Sequence, residues 1–111
     1  MYYLSEIYSP KPSWLALSQE ERFTFFATIE AGMSALAESG VEIRTMSVVD
    51  KKNVFSPPQQ FFALWRFPTQ ESLNALLEGI EATGWHNYFE TINIAGEGGD
   101  ITSHLNDLAS L

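Results

Sequence analysis

The chain has 111 residues, 45% of them hydrophobic and 14% aromatic, with fourteen acidic side chains against six Lys and Arg and a formal charge of -8. That apolar content suits one folded domain spanning residues 1–111 and argues against disorder. The acidic balance, with no basic stripe, speaks against nucleic acid and anionic membrane surfaces as partners, and the lack of cysteine excludes disulfides, thiolate metal sites and cysteine nucleophiles.

The N-terminal MYYLSEIYSP reads directly as a strand, with no charged region leading into an apolar run, so it is not a signal peptide. Nothing reaches membrane-spanning length, and a cytoplasmic protein is the expectation. Tyr2–Tyr8 is the first strand, with Tyr2, Leu4, Glu6 and Tyr8 on one face because side chains alternate. Pro10 and Pro12 close it, since proline has no N–H to give a ladder. Ser18-Gln19-Glu20-Glu21 is a capping box opening a helix to about Glu38. Phe23, Phe26, Ala27, Met33, Leu36 and Ala37 give that helix an apolar stripe, and Gly40 suits its stop.

Val41–Val49 is the second strand, and strict alternation places Val41, Ile43, Thr45 and Ser47 on one face. The polar connection Asp50–Pro58 follows. It is longer than a hairpin needs, and Phe55 stands out in it. A freely mobile loop has little use for a large apolar side chain, so Phe55 is expected to be buried, against a partner subunit or over a pocket mouth. The alternative is a mobile hairpin tip with Phe55 in water.

Gln60–Phe67 is the third strand and the most informative stretch. Phe61, Ala63, Trp65 and Phe67 point one way, Phe62 and Leu64 the other. A strand apolar on both faces needs cover on both. The helices of a small domain cover one, and a second copy is the expected cover for the other, with Phe62 and Leu64 at the contact. Thr69 caps a second helix, carrying Leu73, Leu76, Leu77 and Ile80 at helical spacing, and Gly84 ends it. Phe89–Ala95 is a fourth strand, Gly96–Gly99 a turn, and Asp100 the cap of a last helix with Ile101, Leu105 and Leu108 on one side.

The order β-α-β-β-α-β plus a C-terminal helix is the split βαβ pattern of a ferredoxin-like α+β domain. Right-handed crossovers place both main helices on one sheet face. In element order, length and the run Gly84-Trp85-His86-Asn87-Tyr88-Phe89 after the second helix, the chain resembles the dimeric α+β-barrel superfamily. That superfamily includes antibiotic-biosynthesis monooxygenase-like and YciI-like proteins and many uncharacterised families. The resemblance implies a homodimer through the sheet face and a small-molecule site between sheet and helices.

No catalytic signature accompanies the resemblance. A G-x-S-x-G elbow, a dinucleotide fingerprint and a phosphate loop are all missing, and no metal or cofactor is expected. The candidate pocket residues are Glu6, Trp65, Arg66, His86 and Tyr88. His86 and Glu90 would share a face if helical and could shuttle a proton, or the segment is an ordinary turn with an aromatic anchor. Arg66, amid apolar neighbours, needs an acidic partner or a ligand, with Glu6 and Glu42 as candidates. Two functions fit. One is a dimer binding a small apolar or aromatic molecule. The other is a cofactor-independent monooxygenase or isomerase acting on an aromatic or polyketide-like substrate.

Overall fold

A computed structural model describes residues 1–111. Its elements are β1 (Tyr2–Pro10), α1 (Pro12–Leu15), α2 (Gln19–Glu38), β2 (Glu42–Val48), β3 (Phe61–Phe67), α3 (Gln70–Ala82), a 3-10 turn at Trp85–Asn87, β4 (Phe89–Glu97) and α4 (Ile101–Ala109). The four strands form one antiparallel sheet in the order β2-β3-β1-β4. The fold is ferredoxin-like α+β with an added C-terminal helix. No helix is long and apolar enough to cross a membrane.

Local chemistry sets the helix starts. Ser18 Oγ accepts from the Glu21 N–H and the Glu21 carboxylate accepts from the Ser18 N–H, a reciprocal cap that satisfies two otherwise orphaned donors. Thr69 and Ser72 repeat the arrangement at α3, and Asp100 accepts from the Ser103 N–H at α4. Gly40 and Gly84 both adopt positive φ, 86° and 85°, where α2 and α3 end, a conformation that costs glycine little.

The core lies between the sheet and α3. Leu4 of β1, Ala63, Trp65 and Phe67 of β3, and Leu73 and Leu76 of α3 are all buried, with Val41 at the entry to β2. The alternation expected of β3 holds: its odd positions face the helices and Phe62 and Leu64 the other side.

Three sequence expectations change. First, β2 does not alternate regularly. Its register against β3 shifts between Ile43 and Thr45, so Arg44 is the extra residue of a β-bulge. Ile43 and Met46 pair with Trp65 and Ala63 on the helix side, while Thr45 and Ser47 pair with Leu64 and Phe62. Second, α2 keeps Met33 and Leu36 of the expected stripe inward but turns different residues inward in its first half. Phe25, Ile29, Met33 and Leu36 are half-buried, whereas Phe23 and Phe26 are exposed. The spacing 25, 29, 33, 36 is unbroken at helical period, and the Phe-rich start of the helix offered two stripes. Third, Pro10 is still in β1, and Pro12 opens α1 rather than ending the strand. The fixed φ of proline suits a first helical turn. Short α1 carries Trp14, which is buried against Phe89 at 4.8 Å between ring centroids.

Candidate functional site

A cavity of about 440 Å³ lies between the sheet and the helix pair α2 and α3, within the range typical of small-molecule sites. Ile29, Met33 and Leu36 of α2 and Leu76 and Ile80 of α3 form its roof. Ile43, Met46 and Trp65 form much of its floor, and Tyr8 and Trp85 close one end. The bulge at Arg44 is what brings both Ile43 and Met46 to this side. Small residues of the helices, Gly32, Ala35, Ala75 and Gly79, keep the roof from filling the space.

Very little of the wall is polar. Thr28 and Thr83 reach the cavity, but each hydroxyl is satisfied on its own helix, donating to the carbonyls of Thr24 and Ile80. Beside the Tyr8 phenol, Glu6 is the exception. It sits in the middle of β1, opposite Ala63 and Asn93, and is only 4% exposed. The Trp65 indole Nε1–H donates to its Oε1 at 2.6 Å. Burial pushes the Glu6 carboxyl above its ordinary range, opposed by the Trp65 hydrogen bond, which favours the charged form. Burial, and then the neighbouring Glu6, also push the Tyr8 phenol up.

Of the residues singled out in the sequence, Glu6 and Trp65 lie together at this cavity. Arg66 points to the opposite sheet face, where its guanidinium donates to Glu42 at 3.4 Å. Alternation makes it unable to reach Glu6. His86 is exposed in the 3-10 turn, with its carbonyl accepting from the Lys11 ammonium at 2.6 Å. Glu90 lies in β4, so the two do not share a helical face. Tyr88 packs on Trp14 and Phe25, at 5.6 and 5.1 Å between centroids, and so anchors the turn to α1 and α2 away from the cavity. No group of three or more His, Asp or Glu side chains comes together at metal-binding distance. Tyr8, which alternation already sets on the face of Glu6, is a wall of the cavity, whereas Trp85 was passed over as one, although Gly84 before it was the available signal.

The far side of the sheet is a second surface. Tyr3, Leu64, Ile92 and Ile94 are exposed there, with Ile7 and Phe62 half-buried among them. The connection 50–58 borders it. Lys51 Nζ donates to the carbonyls of Pro57 and Gln59, Lys52 N–H to Asp50 Oδ1, and Ser56 Oγ to the Asp50 carbonyl. These bonds shape the loop so that Asn53 and Phe55 share a shallow hollow with Ile7, Phe62 and Leu64. Phe55 itself is 93% exposed in the protomer. Burial of Phe55 within its own chain, one arm of the sequence expectation, is therefore corrected: the loop holds it out from the sheet rather than over the cavity.

The whole chain, residues 1–111, matches the model of a family of unknown function, DUF6616, and the protein belongs to that family. No curated protein matches the sequence. Among solved structures, "Putative Chlorite dismutase TA0507" superposes with a TM-score of 0.64 at 18% identity, over 89% of this chain and 44% of that one. The chain thus spans less than half the length of that protein. At3g17210 from Arabidopsis thaliana superposes with a TM-score of 0.61 at 12% identity, over 91% of this chain and 98% of that one. At such identities the likeness establishes the fold and carries no activity.

Proposed function

We propose that the protein binds a small apolar or aromatic molecule between its sheet and helices, and that it does so as a homodimer joined through the opposite sheet face. The observation that carries the reading is the cavity itself: its wall is almost wholly apolar, with one carboxyl set into the floor. Pockets with that balance take ligands that bury most of their surface and are oriented by few polar contacts. The homodimer is supported by the apolar side chains left exposed on β1, β3 and β4, Leu64, Ile92 and Ile94 among them, since contiguous apolar surface marks interaction sites, with Phe55 standing at its edge. Kinship with antibiotic-biosynthesis monooxygenase-like and YciI-like proteins is part of this reading and rests on the shared fold and element order. Thermal unfolding in the presence of a panel of neutral aromatic compounds tests the binding. Raised melting temperatures with Met33→Trp abolishing them support it, and no shift across the panel refutes it.

A second reading is a cofactor-independent monooxygenase or isomerase working on an aromatic or polyketide-like substrate. Glu6 favours it, because it is a buried carboxyl facing the cavity whose proton affinity burial raises, and such a group is a candidate for proton transfer. Turnover of a bound ligand by the wild type, lost in Glu6→Gln, separates this reading from simple binding.

A further inference from the structure

We infer that Glu6, in its protonated form, is the hydrogen-bond donor for the site, and that the molecule it takes is a neutral aromatic carrying a carbonyl oxygen. The inference rests on the proposed binding role of the cavity and specifies its ligand class.

The geometry assigns the proton. Oε1 of Glu6 already accepts the Trp65 N–H, so the Trp65 contact fixes that oxygen as the acceptor. When the carboxyl is neutral, its hydrogen sits on Oε2. No protein group bonds Oε2, yet it is not among the side-chain atoms sealed from the surface without a partner. Glu6 lines the cavity, so Oε2, as its unbonded oxygen, is the one left to meet an occupant. A protonated Oε2 is a donor that needs an acceptor, and no protein group is bonded to it: the Thr28 and Thr83 hydroxyls are engaged on their own helices, and Tyr8, though in the wall, makes no hydrogen bond to Glu6. A ligand oxygen is the partner that completes it.

The charge around Glu6 sets the ligand's charge. No Lys, Arg or His lines the cavity from α2, β2, β3 or α3, and Tyr8 is the one other titratable side chain in it. The strand neighbours Ala63 and Asn93 are uncharged. A carboxylate ligand would enter with no cation to meet it and would face Glu6, and burying it unpaired is costly. A hydrocarbon would leave the Oε2 donor unpaired. A ketone or quinone satisfies both constraints. Burial, which raises the Glu6 carboxyl above its ordinary value, extends the neutral donor form upward from the ordinary glutamate range.

The test compares matched probes by calorimetry between pH 5 and pH 8: acetylnaphthalene, ethylnaphthalene and naphthoate. The wild type should bind the ketone about three- to tenfold more tightly than the hydrocarbon at the acid end, the advantage expected of one neutral hydrogen bond. The advantage should vanish as pH rises through the Glu6 titration, and naphthoate should bind least. Glu6→Gln keeps an acceptor for Trp65 and an N–H for the ligand, so it should hold the ketone preference at every pH. Equal affinity for ketone and hydrocarbon throughout, or a pH dependence that survives in Glu6→Gln, overturns the inference while leaving the cavity as a binding site. If neither neutral probe binds, the binding role falls and the inference with it.

Discussion

Glu6 is the residue on which chemistry and stability meet. A carboxyl that holds its proton more tightly folded than unfolded stabilises the fold at low pH, and that contribution is lost as pH rises through its folded pKa. Because burial raises Glu6, stability should fall with rising pH from the ordinary glutamate range upward. Glu6→Gln should remove this slope, seen as denaturation midpoints that no longer fall between pH 5 and pH 8. Phe67, fully buried at the end of β3, has no such dependence; Phe67→Ala should cost about 3–5 kcal/mol of unfolding free energy at any pH. Both residues could be placed on the helix side of the sheet by alternation alone. Their meaning could not be read as easily. The Glu6–Trp65 contact joins strands distant in sequence, and only the β1–β3 register, with Leu4 opposite Trp65, brings the indole beside the carboxyl. For Arg66, alternation already gave the face opposite Trp65, and so spoke against a shared pocket; His86 lies in a turn, where no periodicity says which way a side chain faces.

Elements differ in how much of their stability is local. α2 buries no residue fully, so its capping box matters more than in a helix pinned by the core. Ser18→Ala should weaken the start of α2 by about 1 kcal/mol, measured as faster amide exchange over its first turns with β1 and β3 unchanged. The caps were legible because capping chemistry lies within four residues. The bulge at Arg44 was not, because nothing in EIRTMSV distinguishes a regular strand from one with an inserted residue; the pairing partner decides. α1 was missed for a related reason. Four residues show no periodicity, and its Trp14 is buried by contacts with Phe89 and the Phe25–Phe26 pair, which lie elsewhere in the chain.

At the scale of the whole molecule, the sheet has one face covered by helices and one that is not. The proposed homodimer places the uncovered face against a second copy. Leu64→Asp, at the centre of that face, should shift the sedimentation coefficient to that of a monomer at micromolar concentration, since charges at an apolar interface core are strongly disfavoured. Phe55→Ser should weaken the dimer without unfolding the protomer, because the side chain makes no core contact of its own. A wild-type chain that sediments as a monomer would remove the dimer from the proposal. The two-sided character of β3 was visible in sequence, and with it the need for cover. The direction of Phe55 was not, because it depends on hydrogen bonds between loop residues six and eight apart, from Lys51 to Pro57 and Gln59.

The loosely seated α2 has a consequence for survival in the cell. Met33 and Leu36 of its inward stripe rest on the edge of the core and, with Ile29, line the cavity, so an occupant of the cavity would extend that core beneath the helix. Occupancy then becomes conformational stability: a ligand at a hundred times its Kd adds about 2.7 kcal/mol. A protease that cuts within residues 19–38 would read that difference as a lifetime, so cleavage there should slow in step with ligand concentration. The half-life of the chain would then report the level of the molecule it binds.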